Sequence, residues 1–206
     1  MKFGRVVSDG YGVNCYIIYC EKTKKAAIID PGGNADAILN FIDQNQLEPQ
    51  FIILTHAHGD HIGALREVKE KKNLPVYIHP LEEPMLRDAN KNMSRWMGYP
   101  SVEIAADRLL KDNEIIELGE LKLHIIHTPG HTRGGICIKV EDALFTGDTL
   151  FAGSIGRTDF EGGSFPQIID SIKNKLLVFD DNTKVYPGHG PESTIGMEKR
   201  LNPFLI

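Results

Sequence analysis

The chain has 206 residues, 41% hydrophobic and 25% charged, enough for one compact domain over 1–206 that buries its own core. A formal net charge of -5 leaves no broad positive field to draw in nucleic acid or an anionic membrane. No apolar run approaches the roughly 20 residues of a membrane helix. The start MKFGRVVSDG has no apolar secretory core, and Cys15, Cys20 and Cys137 show no C-x-x-C spacing, so a cytoplasmic protein with reduced thiols is expected.

In chain order, GVNCYIIYC and KAAIIDPGG are short runs rich in Ile and Val separated by the polar EKTKK, which predicts hairpin-connected strands. NADAILNFIDQNQL then places Ala37, Ile38, Phe41 and Ile42 at helical spacing, with Asn34 as its cap. FIILTHAHGDHIGALREVKEKK reads as a strand of about four residues, a loop, and a helix opening near residue 61 with Ile62, Leu65 and Val68 on one face. PVYIHP resembles another strand. LEEPMLRDANKNMSRWMGYP is polar, broken by Pro84 and Pro100, and is expected to cover an edge of the site.

The second half repeats the pattern, with hairpin strands joined at LGE and VED and a helix in FPQIIDSIKNKLL. Two halves of strands followed by helix predict an α/β fold, a four-layer αββα sandwich with its site at one end where loops of both halves meet.

The chemistry gathers in T-H-A-H-G-D-H, which puts His56, His58, Asp60 and His61 within six positions at a strand end. His131 in HTPGHTRGG, Asp148 in LFTGDTLF and His189 in VYPGHGPES each follow a strand-like run and precede a turn, where a rigid scaffold can aim a side chain into a cleft. Singly, each has an ordinary explanation: Asp60 can cap the following helix, Asp148 can form a turn, and a lone histidine can be a hydrogen-bonded loop residue. Together, imidazoles and carboxylates this dense call for a compensating cation, and their nitrogen and oxygen atoms suit zinc and similar divalent ions. His79, His124 and His127 are read as structural.

THAHGDH, followed by His131, Asp148 and His189 in that order, resembles the metallo-β-lactamase superfamily over nearly the whole chain. LFAGSIGRTDFEGG and VYPGHGPESTIGMEKRLNPFL look like its short glyoxalase II-like subgroup, the hydroxyacylglutathione hydrolase-like proteins. The resemblance implies that His56, His58 and His131 hold one metal, Asp60, His61 and His189 the other, and that Asp148 bridges them. Zinc is the expected metal, with iron or manganese as alternatives. Asp30 in IIDPGG matches a family aspartate that orients a ligand from behind, although Asp-Pro-Gly also suits a turn. Arg157 in GRTD matches a basic position that contacts substrate, but could equally pair with Asp159.

Two such metals share a water and lower its pKa towards neutrality, so the expected reaction is attack of hydroxide on a small-molecule thioester such as S-lactoylglutathione. Asp60 would also orient that water or take its proton. Full-length glyoxalase II enzymes add a C-terminal helical domain with glutathione contacts, and the chain stops at Ile206 without it, which leaves the thiol open. The rival is persulfide dioxygenation on one iron, as in relatives with a GRTD-type loop; the complete ligand set favours hydrolysis. Relatives acting on β-lactams, lactones or RNA, and a noncatalytic metal-binding protein, are weaker alternatives. The sequence leaves the oligomeric state open.

Overall fold

Successive side chains of a strand point to opposite faces of its sheet. Ile17, Ile28 and Ile52 accordingly join one buried cluster, while Ile18, Ile29 and Ile53, one residue further along each strand, join another. In the computed structural model, which describes residues 1–206, these runs belong to a six-stranded sheet. Its strands are β1 (Lys2–Val7), β2 (Asn14–Tyr19), β3 (Lys25–Ile29), β4 (Glu48–Ile53), β5 (Val76–Ile78) and β6 (Arg108–Leu109), in that spatial order. β1 to β3 pair antiparallel and β3 to β6 parallel.

The second sheet contains β7 (Ile115–Leu118), β8 (Leu121–His127), β9 (Ile136–Val140) and β10 (Ala143–Gly147). The small hairpin of β11 (Leu150–Phe151) and β12 (Ser154–Ile155) lies outside it, and the chain returns as β13 (Lys184–Pro187) and β14 (Ser193–Thr194). The spatial order is β14-β13-β10-β9-β8-β7. Ile18, Phe51 and Ile53 of the first sheet pack with Leu123, Ile138 and Phe145 of the second.

Helices close both outer faces. α1 (Ala35–Gln44), α2 (Gly59–Ile62) and α3 (Leu65–Lys72) put Ile38, Ile42, Ile62 and Leu65 into the outer cluster of the first sheet. Leu86 of α4 (Glu83–Leu86) joins them. On the second sheet, α5 (Phe165–Ser171) runs into a π-helical turn (Ile172–Leu176), and with α6 (Ile195–Leu201) it supplies Ile168, Ile172, Leu176 and Ile195. The order helix, sheet, sheet, helix is the αββα sandwich. No helix is long and apolar enough to cross a membrane.

Local expectations need correction at four places. The helix after T-H-A-H-G-D-H opens at Gly59, two residues earlier than its apolar spacing suggests, and divides into α2 and α3. The division falls where Gly63 passes so close to the carbonyl oxygen of Gly32 that a Cβ would not fit. Asn34 does not cap α1: its φ of 55° is left-handed and its side chain makes no capping bond. The polar stretch from Leu81 to Pro100 contains α4, which Pro84 can enter in the first turn where no N–H is required, and a 3₁₀ turn at Ser94–Trp96. The strand Lys2–Val7 escapes the apolar pattern because it is an edge, with only Gly4 buried.

Candidate metal centre

Four strand ends meet at one edge of the sandwich. The chain beyond β4 carries His56, α2 carries Asp60 and His61 just after His58, the β8–β9 connection carries His131, and Asp148 and His189 follow β10 and β13. Asp60 therefore sits inside the first turn of α2 and not before it; His58, with extended backbone, occupies the N-cap position without capping. Two glycines let the last segments approach. Gly147 turns with φ 46°, and Gly188 donates to its carbonyl at 2.8 Å, in a place where a Cβ would run into Asp148 and His61. Asn14 ties the His189 loop down by donating to the carbonyls of Pro187 and Gly190 at 2.9 and 3.0 Å.

The seven side chains form two joined triads. His56, His58 and His131, all buried, bring one nitrogen each to within 4.8 Å of one another, and Asp60, His61 and His189 do the same with two nitrogens and an oxygen. Asp148 stands between them: Oδ1 is 3.2 Å from His61 Nε2, and Oδ2 is 3.7 and 3.6 Å from Nε2 of His131 and His189. Asp60 Oδ2 lies 3.2 Å from His189 Nε2.

Hydrogen bonds behind the rings fix which nitrogen faces the centre. His61 Nδ1 donates to Asp30 Oδ2 at 3.0 Å, and His131 Nδ1 donates to the carbonyl of Arg157 at 2.7 Å. Thr55 gives its one hydroxyl proton to Asp30 at 2.5 Å, so His56 Nδ1, 3.2 Å away, is the donor towards Thr55. In all three rings Nε2 is thus the nitrogen turned to the centre, the atom that binds a metal once it carries no proton. His58 instead turns Nδ1 inward, 3.0 Å from His131 Nε2.

Whether these residues fit a pair of divalent ions is answered by the atoms left over. His56 Nε2, His61 Nε2 and Asp148 Oδ1 are buried without a hydrogen-bond partner, although leaving such groups unpaired costs about 1–3 kcal/mol each. The 3.2 Å approach of His61 to Asp148 does not make a hydrogen bond, so both atoms are left for a cation to take up. The donor set of five imidazoles and two carboxylates fits.

Electrostatics agree. Burial, then the neighbouring imidazoles, hold His56 well below its ordinary pKa and bring His58 down to about 3, so both are neutral. Burial opposes charge on Asp148 and His61 too, but there each stabilises the other, with Asp30 adding to His61: the carboxyl stays low and the imidazole rises. His189 also rises against burial, through Asp60 and Asp148. A divalent cation can replace these protons.

Other expected residues lie around this centre. The Arg157 side chain is exposed, pairs with Asp159 through two 2.7 Å bonds, and lies 3.8 Å over the ring of Phe160, which meets His58 edge-on at 5.7 Å. His79 and His127 stack at 4.1 Å, and His124 faces Asn113; none reaches the centre. Sequence reasoning missed Thr55 and Glu82. Glu82 is fully buried and accepts from the N–H of Ala57, between His56 and His58, at 3.1 Å and from that of Gly134 at 2.7 Å, joining the two loops that form the first triad.

Residues 8–189 match the sequence profile of the metallo-β-lactamase superfamily. The probable metallo-hydrolase YqgX of Bacillus subtilis is 40% identical over 208 residues, covering 100% of this chain and 98% of that protein. The hydroxyacylglutathione hydrolase GloC of Haemophilus influenzae is 38% identical, covering 93% and 92%. Among solved structures, the BLEG-1 B3 metallo-β-lactamase superposes with a TM-score of 0.93 at 40% identity over 99% of both chains. TTHA1623 in a di-iron-bound form gives 0.89 at 34% identity over 98% and 100%, and ETHE1 from Myxococcus xanthus 0.83 at 29% over 98% and 84%.

Proposed function

The chain belongs to the metallo-β-lactamase superfamily, and from that premise we propose that it is a binuclear metal-dependent hydrolase of small thioesters such as S-lactoylglutathione. The observation that carries this reading is the position of Asp148 between two complete triads. His56, His58 and His131 would hold one ion and Asp60, His61 and His189 the other, with Asp148 available to both. Bound there, two divalent ions supply water of near-neutral pKa and a positive charge for a developing oxyanion.

The protein's own residues do the rest. Asp30, Thr55 and the Arg157 carbonyl lock the rings. Asp60, whose side chain keeps 19% of its surface exposed, orients the attacking water and takes its proton. Water oxygen bonds to the carbonyl carbon, the C–S bond breaks with its electron pair on sulfur, and the thiolate takes up a proton. Arg157 contacts a carboxylate of the substrate by exchanging its Asp159 partner.

Zinc is the metal we favour for an imidazole-rich set, and the likeness to a di-iron-bound structure supports iron as the second choice. Three buried, unpaired cysteines support a reducing cytoplasm. The 40% identity to BLEG-1 supports a second reading, β-lactam hydrolysis by the same centre.

Metal content per chain, measured with hydrolysis of S-lactoylglutathione and of a β-lactam, tests the proposal. Two metals with thioester cleavage is the expected result. β-Lactam cleavage alone would install the second reading. One iron with oxygen uptake on glutathione persulfide would overturn both.

A further inference from the structure

His58 is held differently from the rest of the first triad. Thr55 and the Arg157 carbonyl fix His56 and His131 from behind, whereas the His58 ring makes no hydrogen bond on the side away from His131. A ligand without such a partner is placed by its own backbone and by packing. That backbone is tied down on both sides. The N–H of Ala57, one residue before, donates to Glu82 Oε2 at 3.1 Å, and the N–H of Gly59, one residue after, donates to the Asn92 carbonyl at 2.6 Å.

Both acceptors come from the one segment 82–92, and both residues are fully buried. The segment braces itself: the Glu82 carbonyl accepts from Met85 and Leu86 at 2.9 and 3.0 Å, and the Asn92 amide donates to the carbonyls of Met85 and Val102 at 3.1 and 2.8 Å. Glu82 Oε1 reaches on to Gly134 N at 2.7 Å, so close that a Cβ on Gly134 would collide with Glu82 itself. One carboxyl therefore sets the spacing between the loops of His58 and His131. The second triad hangs elsewhere: His61 on Asp30, Ala64 N on the Pro31 carbonyl at 2.9 Å, and the His189 loop on Asn14.

We infer that Glu82 is a positioning residue for His58, and that its carboxyl governs occupancy of the first metal position without governing the second. The assignment rests on the binuclear reading of the centre and deepens it. Glu82 acts through main-chain N–H groups, so its influence on metal binding passes through the placing of His58 and His131.

His58 also turns Nδ1 to the centre where the other four rings turn Nε2, which gives it a signature of its own. In protein carrying isotopically labelled histidine and loaded with zinc, proton–nitrogen correlation spectra separate an imidazole bound through Nδ1 from those bound through Nε2. The native chain is compared with Glu82→Gln, which keeps one acceptor oxygen, and with Glu82→Asp, which withdraws the carboxyl by one methylene. Asp107→Ala, which loses an acceptor for Val76 N at the far end of β5, serves as a destabilised control. Each is titrated with zinc against a chromogenic chelator, and its melting temperature is recorded. In both Glu82 variants the affinity for one ion should fall about 10- to 100-fold while the other stays within about threefold, and the Nδ1-bound signal should vanish at free zinc levels that sustain it in the native chain. Asp107→Ala should melt earlier and keep both ions. Two ions that weaken in step, or an undiminished Nδ1 signal, would overturn the assignment and leave the binuclear reading intact. A zinc-loaded native chain without an Nδ1-bound imidazole would overturn both.

Discussion

His131 holds its ring by a 2.7 Å hydrogen bond from Nδ1 to the main-chain carbonyl of Arg157. The GRTD loop therefore serves the centre through its backbone, whatever its side chain does. Arg157→Ala should bind as much metal as the native chain, because the carbonyl remains. Its KM for a carboxylate-bearing thioester should rise roughly three- to tenfold, the size of an exposed ion pair of ~1 kcal/mol. Metal analysis with steady-state kinetics checks both; lost metal would show that the guanidinium is needed to shape the loop.

Asp30 accepts from Thr55 N at 2.7 Å, from the Thr55 hydroxyl and from His61 Nδ1, and holds this place with a left-handed φ of 49°. Asp30→Asn sets an amide N–H₂ against at least one of those donors. Metal affinity, read by competition with a chromogenic chelator, should fall about 10- to 100-fold, the usual effect of removing the partner of a ligating histidine. Thr55→Val deprives His56 Nδ1 of its acceptor and should give a smaller loss in the same direction. Unaltered affinity in both would mean that the rings are positioned by packing alone.

Asp60 is assigned both a metal and a proton. In metal-replete Asp60→Ala, kcat should fall about 10²- to 10⁴-fold, the range for loss of a general base, while KM moves much less. An unchanged rate at full metal content would refute the proton role.

Much of this architecture is legible in the sequence because two periodicities are strong. Ile17 and Ile18, or Ile52 and Ile53, divide between clusters as alternation demands, and Ile38 and Ile42 fall on one helical face. The seven ligand-type residues stand out because imidazole and carboxylate are scarce at strand ends without a reason. The Arg157 carbonyl leaves no trace in the sequence, since every residue has one. Glu82 is equally silent: its role depends on Gly134, 52 residues away. The opening of α2 was displaced because His58 and Asp60 obey the centre, not helix periodicity.

Glu82 can be weighed directly. Burial raises its pKa, yet the N–H groups of Ala57 and Gly134 both point at its carboxyl oxygens. Glu82→Ala leaves two buried donors unpaired and should cost about 2–5 kcal/mol in urea unfolding, whereas Glu82→Gln, which keeps one acceptor oxygen, should lose about half as much. Equal stability of all three chains would place those N–H groups on other partners.

Asp112 sets part of the acid limit of the fold. Its Oδ1 accepts from His127 N at 2.7 Å and its Oδ2 pairs with Lys175 at 3.1 Å, tying the end of β8 to the π-helical turn after α5. Burial works against the charged form, but these two contacts outweigh it and hold the carboxyl below its ordinary pKa. For an acid whose folded pKa is depressed, the stabilisation is complete above the unfolded value of about 3.9 and is lost as pH falls through the folded one. Asp112→Asn should therefore have a lower urea midpoint than the native chain at pH 7, with the gap narrowing as pH falls below about 3.9. Far-UV circular dichroism of both chains, stripped of metal so that ligand protonation affects them equally, reads that difference; a gap that stays constant down to pH 3 would mean that the Asp112 charge adds nothing to stability.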